Sequence, residues 1–186
     1  MRDRPASNDI EGIRRNAERV FSTAEITAAL DRLASDITAR IGDRDPVLLC
    51  VMLGGIVPLG VLLPRLSFLL QIDYVHVTRY QGQTSGGELH WLRKPDVSLR
   101  DRTVLIVDDV LDKGVTLAAI VDACRMAGAR EVLTAVLVRK RVAARPGLQQ
   151  TDFAALDTDD RYLFGWGMDY KSYLRNGDGI YAVKAT

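Results

Sequence analysis

Hydrophobic positions change their period several times along the chain, and each change predicts an element. Ile26, Leu30, Leu33, Ile37 and Ile41 recur at steps of three or four, the spacing of an amphipathic helix. Ser22-Thr23-Ala24-Glu25 precedes them with the form of a capping box, so the helix is expected to open there. The stretch Pro46 to Met52 is then continuously apolar and ends at Gly54-Gly55, as expected of a strand buried on both faces. Ile56 to Leu66 predicts a short helix with Pro58 and Pro64 near its ends, because proline does not suit a helix interior. Ile72, Tyr74, Val75 and Val77 mark another strand. Tyr80 to Leu89 carries three glycines among polar residues and predicts a mobile loop or β-ribbon, with Trp91 beginning the return strand.

Thr103 to Val107 is β-branched and apolar, and Gly114 to Met126 follows with helical spacing at Leu117, Ile120, Val121 and Cys124. With the strand Glu131 to Val138 this makes a strand-loop-helix-strand unit, which calls for a parallel sheet and an α/β architecture. From Tyr162 to Val183 the pattern predicts short strands and turns around Gly165, Gly167 and Gly177, enough for a small second lobe. At 186 residues the chain fits a single domain, residues 1–186.

Composition narrows the function. Hydrophobic residues make up 47% and charged residues 26%, close to a globular average. The 25 Lys and Arg against 24 Asp and Glu leave a net charge of +1 and no whole-chain basic field for nucleic acid or anionic membrane, so phosphate recognition must be local. Charges occupy the N-terminal stretch where a signal peptide needs apolar residues, and no apolar run reaches membrane-spanning length, so a cytoplasmic location is expected. Cys50 and Cys124 have neither zinc nor redox-pair spacing and read as buried free thiols.

The candidate chemistry lies in Val104-Leu105-Ile106-Val107-Asp108-Asp109-Val110-Leu111-Asp112-Lys113-Gly114-Val115-Thr116-Leu117. A buried strand brings two carboxylates to its C-terminal end, and a short loop then starts a helix. Ligands of open α/β sheets bind outside such strand ends, and a helix N-terminus offers free N–H groups to an anion. The loop therefore suits a phosphate, with Gly114 permitting close approach and Thr116 adding a hydroxyl. Carboxylates repel phosphate, so the acids are suited instead to binding ribose hydroxyls or holding Mg²⁺. Acid pairs at strand ends also serve as helix caps, Walker-B sites or receiver sites, but no G-x-x-x-x-G-K-[ST] accompanies this one.

This segment resembles the signature of the type I phosphoribosyltransferases, with Lys113 in a position usually held by Thr and Val115 in one often held by Lys or Thr. Val138-Arg139-Lys140 and Tyr162-Leu163-Phe164-Gly165-Trp166-Gly167-Met168-Asp169-Tyr170-Lys171-Ser172-Tyr173-Leu174-Arg175 are similar to the C-terminal region of the hypoxanthine-guanine branch. The resemblance implies a mainly parallel sheet flanked by helices, a small hood lobe built from the termini and a flexible β-ribbon loop. It implies an Mg²⁺-dependent transfer of phosphoribosyl from phosphoribosyl pyrophosphate to hypoxanthine or guanine, within a homodimer or homotetramer. Asp108, Asp109, Asp112, Lys113, Gly114, Val115 and Thr116 would bind the ribose and its phosphate, and Asp112 would act as general base or proton shuttle for purine N7. Lys140 would donate to the 6-oxo group, Tyr162 would stack on the base, and Leu163 would read its edge through backbone groups. Asp169 would complete the base site and ligate Mg²⁺, as would Asp108 and Asp109, with Arg175 on the pyrophosphate.

Met52-Leu53-Gly54-Gly55 matches the family's pyrophosphate turn, which often contains a non-proline cis peptide; Leu53 stands where Lys is frequent, leaving Leu53 and Gly54 to bind through backbone N–H groups. Arg79 and Tyr80 begin the segment that corresponds to the lid, Arg79 replacing a common Ser. Two other functions fit parts of the pattern. One is a uracil- or xanthine-preferring enzyme sharing the sugar-phosphate half. The other is an RNA-binding regulator of the same fold, using a basic face of Arg139, Lys140, Arg141 and Arg145.

Overall fold

The capping box forms as the sequence predicts. The Ser22 hydroxyl accepts the Glu25 N–H at 3.4 Å, and the Glu25 carboxylate accepts the Ser22 N–H at 2.8 Å, opening α2 (Thr23–Ile41). The expected Ile26, Leu30, Leu33, Ile37 and Ile41 are the buried stripe of that helix. The computed structural model describes residues 7–79 and 89–184, so Tyr80 and the glycine-rich segment of the expected lid, up to Glu88, lie outside the described residues. The other elements are α1 (Ser7–Asn16), β1 (Glu18–Ser22), β2 (Val47–Met52), α3 (Ile56–Leu62), β3 (Gln71–Arg79), β4 (Leu89–Arg93), β5 (Thr103–Leu111), α4 (Val115–Met126), β6 (Glu131–Arg141), β7 (Phe153–Asp159), β8 (Leu163–Phe164) and β9 (Gly179–Ala182). Pro58 sits in the first turn of α3, and Pro64 in the 3₁₀ turn that follows it.

Six strands form the main sheet in the order β4-β3-β2-β5-β6-β7, parallel except for β4. Within the continuous apolar runs, alternate side chains enter opposite layers. Leu48, Cys50, Leu105 and Val107 pack with α2 and α3, while Val47, Leu49, Val104 and Ile106 pack with Leu117, Ile120 and Val121 of α4. β1, β9 and β8 form a separate antiparallel sheet from the two ends of the chain, the expected hood. Its Leu163, Trp166, Met168 and Ile180 join the α2 and α3 layer, so hood and main sheet share a core.

Three features depart from the pattern reading. β5 runs on to Leu111 and β6 to Arg141, so Asp108, Asp109 and Lys140 lie inside strands rather than at their ends. The ladder is the cause: Val110 pairs with Val138, Leu111 with Arg139 and Lys140 with Thr158, holding polar residues extended after the apolar run stops. The segment before Tyr162, turn-rich in sequence, contains β7, an edge strand paired, among the described residues, only to β6 and covered by α2. No periodic run marks α1 or β1, since β1 is short and exposed at its start.

Gly167 fixes the hood onto the sheet. Its φ is 102°, and a Cβ there would lie 2.1 Å from the Gly54 carbonyl oxygen in the turn after β2. Gly167→Ala is expected to cost about 1–3 kcal/mol, read as a lower urea midpoint with an unchanged m-value.

Candidate active site

The chain leaves β2 through α3 towards β3 on one side and leaves β5 through α4 towards β6 on the other. That divergence makes a crevice outside the carboxyl ends of β2 and β5, the place where open α/β sheets bind ligands. The turn after β2 closes one wall. Its Met52-Leu53 peptide is cis, Leu53 is half exposed, and Gly54 lies so close to Asp109 that a Cβ would meet a carboxylate oxygen at 2.1 Å.

Burial and the neighbouring Asp109 charge hold the Asp108 carboxyl well above the ordinary carboxylate range. Burial also raises Asp109, against a hydrogen bond from Asp108 and the nearby Arg175 charge. The same site keeps Cys50 inert: burial and the two acids push its thiol up to about 12, while burial alone takes Cys124 to about 11.

Beyond the acids lie two adjoining hollows. One, of about 280 Å³, is bounded by Asp108, Lys113, Gly114, Val115 and Thr116 at the start of α4. Gly114 adopts a left-handed conformation at φ 69° and no side chain caps the helix, so its first-turn N–H groups stay open to an anion. The other, of about 320 Å³, is bounded by Lys140, Tyr162, Leu163, Asp109 and Asp169. Asp112 and Val110 border both. Asp112 therefore stands at the junction of the two hollows. A larger groove of about 720 Å³ beside Trp91 and Cys124 has no helix N-terminus and no carboxylate pair.

The second hollow brings a buried ammonium beside an exposed aromatic ring. The Lys140 residue is 8% exposed, with its Nζ 3.3 Å from Asp112 and 3.5 Å from Asp160. Tyr162 is 53% exposed and touches Tyr170 edge-on at 5.5 Å between centroids, leaving a ring face open. Asp169 accepts the Ser172 N–H at 2.7 Å and pairs with Arg175 at 2.6 Å. Arg175 also donates to the Gly167 carbonyl, so it braces the hood beside the acids. Arg79 closes β3 at the margin of the described residues.

A family model of the phosphoribosyl transferase domain matches residues 16–172. The chain belongs to this family. The sequence is 26% identical over 176 residues to a hypoxanthine-guanine-xanthine phosphoribosyltransferase of Tritrichomonas foetus, covering 95% of this chain and 93% of that protein. It is 27% identical over 158 residues to a hypoxanthine-guanine phosphoribosyltransferase of Bacillus subtilis (strain 168), covering 84% and 87%. A crystal structure of a Staphylococcus aureus hypoxanthine phosphoribosyltransferase superposes with a TM-score of 0.86 at 21% identity, covering 96% of this chain and 97% of the other. The chain thus has the type I phosphoribosyltransferase fold.

In this phosphoribosyltransferase the basic face that the alternative, RNA-binding reading would use is only partly free. Arg139 forms two bonds to Asp157 at 2.7 and 3.0 Å, Arg141 lies 3.9 Å from Asp159, and Lys140 is held by two carboxylates. Arg145 turns inward onto backbone carbonyls. Asp160 and the inward role of Arg145 escape a reading of the sequence, because both arise from pairing between distant segments. Among the described residues no helix is long and apolar enough to cross a membrane.

The raised Asp108 value carries a stability consequence. The folded chain holds that proton more tightly than the unfolded chain, whose carboxyl titrates near 3.8. This contribution is complete at low pH and is lost as pH rises through the folded value. Asp108→Asn should therefore make the metal-free protein more stable than wild type at pH 8, with a smaller gain at pH 5. Urea unfolding in the presence of a chelator checks this.

Proposed function

We propose that this phosphoribosyltransferase joins hypoxanthine or guanine to the ribose of phosphoribosyl pyrophosphate, releasing pyrophosphate and forming IMP or GMP. The observation that carries the reading is the pair of hollows meeting at Asp112, one ending on a helix N-terminus and the other on Lys140 and Tyr162. The ribose 5-phosphate takes the N–H groups of Lys113 to Thr116, and Asp108 and Asp109 face the ribose hydroxyls. The 6-oxopurine lies against Tyr162, with Lys140 donating to its oxygen and the Leu163 backbone meeting its edge. A fixed ammonium favours an oxo group over the amino group of adenine.

Bond formation between C1 of the ribose and N9 of the base accompanies loss of the bond to pyrophosphate, and the proton on N7 passes to Asp112. Positive charge gathers on the ribose carbon as the leaving group departs, and the desolvated carboxylates are placed to offset it. Backbone N–H groups of Leu53 and Gly54 and the side chain of Arg175 receive the pyrophosphate.

Mg²⁺ fits this donor set. Asp109 and Asp169 border one hollow, and a cation would relieve the cost of burying ionised Asp108 and Asp109. Mg²⁺ commonly uses one or two carboxylates together with water and substrate phosphates, so Asp109 and Asp169 would hold it beside the pyrophosphate, with Asp108 adding to the field. When bound it neutralises charge on the leaving group.

Pyrophosphate release should be seen with hypoxanthine and guanine, and not with adenine or uracil; turnover of uracil alone would sink the proposal. Asp112→Ala should lower kcat about 10²–10⁴-fold while sugar-phosphate affinity falls much less. Unchanged kcat in that variant would remove Asp112 from its role. Lys140→Met should raise KM for the base at least about tenfold while leaving KM for phosphoribosyl pyrophosphate within about twofold, as steady-state kinetics can resolve.

A further inference from the structure

The loop joining β6 to β7 runs directly over the phosphate loop. Gly147 N–H donates to the Lys113 carbonyl at 3.1 Å, and Leu148 N–H to the Gly114 carbonyl at 3.0 Å. Arg145 Nε completes the row by donating to the Asp112 carbonyl at 2.9 Å. Three successive carbonyls of the phosphate loop are thus held by one segment. There is no slack in this contact: a Cβ on Gly147 would lie 2.3 Å from Gly114 C and Val115 N, and one on Gly114 would lie 2.4 Å from the Leu148 oxygen.

The trans geometry of the peptide gives the arrangement a meaning. The C=O of one residue and the N–H of the next point to opposite sides of the chain. Fixing the carbonyls of Asp112, Lys113 and Gly114 towards residues 145–148 turns the N–H groups of Lys113, Gly114 and Val115 the other way. Those three residues border the hollow at the start of α4. The row of bonds therefore sets the direction of the anion-binding amides before any ligand arrives.

Arg145 does more than complete the row. Its Nη2 donates to the Lys140 carbonyl, and its Nη1 to the Gln149 carbonyl at 3.2 Å. One planar guanidinium thus joins the backbone of Asp112, in the phosphate loop, to the backbone of Lys140, which carries the ammonium of the second hollow. A lysine in its place has a single point charge and cannot span both carbonyls with fork geometry.

We propose that Arg145 is a positioning residue that holds the phosphate loop and the Lys140 strand end in fixed relation, so that both substrates depend on it although it touches neither. This rests on the proposed use of the two hollows by sugar phosphate and purine. Arg145→Ala is expected to raise KM for phosphoribosyl pyrophosphate and KM for the purine together, each by about tenfold or more. Guanidinium ion at sub-denaturing concentration should restore part of both losses. Gln149→Ala is the control, since that side chain hydrogen-bonds, among the described residues, only to the Arg145 and Gly147 carbonyls of its own loop and should leave both KM values within about twofold of wild type.

KM values for both substrates within about twofold of wild type in Arg145→Ala would overturn the inference, as would a loss confined to one substrate or a lowered melting temperature alone. Arg145→Lys keeps the test open if the alanine variant does not fold: intermediate KM values and no response to guanidinium support the role, and wild-type KM values refute it. Calorimetric titration of Arg145→Ala with phosphoribosyl pyrophosphate and Mg²⁺ separates the role of Arg145 from the proposed reaction. Wild-type enzyme that turned over no 6-oxopurine would refute the reaction, whereas unchanged sugar-phosphate affinity in the variant would refute the role of Arg145.

Discussion

The ladder between β5 and β6 is the constraint on which the rest of the site depends. Apolar runs alone would end both strands early, at Val107 and Val138. Continued pairing through Val110–Val138 and Leu111–Arg139 carries Asp108, Asp109 and Lys140 outward in extended conformation. Asp112 then follows directly after one strand, and Lys140 comes one residue before the end of the other, close enough to form an ion pair. Asp112 and Lys140 owe their proximity to backbone hydrogen bonds between parallel strands rather than to any local motif.

That placement has an electrostatic cost which function can use. Two adjacent carboxylates sit within β5, just after its apolar run Val104 to Val107, with Arg175 as a compensating charge, and burial holds both above their ordinary range. Stable folding alone would favour neutral residues at these positions. Their presence makes sense if substrate, metal or developing positive charge offsets them during the reaction.

Close backbone approaches set the outer walls. Gly54 makes room for Asp109, Gly167 for the Gly54 carbonyl, and Gly147 for the backbone of Gly114 and Val115. The turn after β2, the hood and the β6–β7 loop thus meet around one crevice with little freedom to shift separately. The shared core of Leu163, Trp166 and Met168 with α2 and α3 adds a continuous apolar support beneath the hood.

Elements with local signals are legible in the amino-acid sequence alone: the Ser22 capping box, the α2 stripe, the buried runs of β2 and β5, and the glycine-containing loop that starts α4. Family resemblance, also read from sequence, points to Lys140, Tyr162 and Asp169, which the fold brings to one hollow with Asp112. The same pattern gives no sign of β7, ends β5 and β6 too soon, and leaves Arg139, Lys140, Arg141 and Arg145 open to an alternative reading as a basic face. Those points needed the folded chain, because edge-strand pairing, the partners Asp157, Asp159 and Asp160, and the carbonyls that receive Arg145 belong to segments brought together by the sheet. Periodicity reports which side of an element is buried; what a charged side chain meets depends on which strand lies next to it.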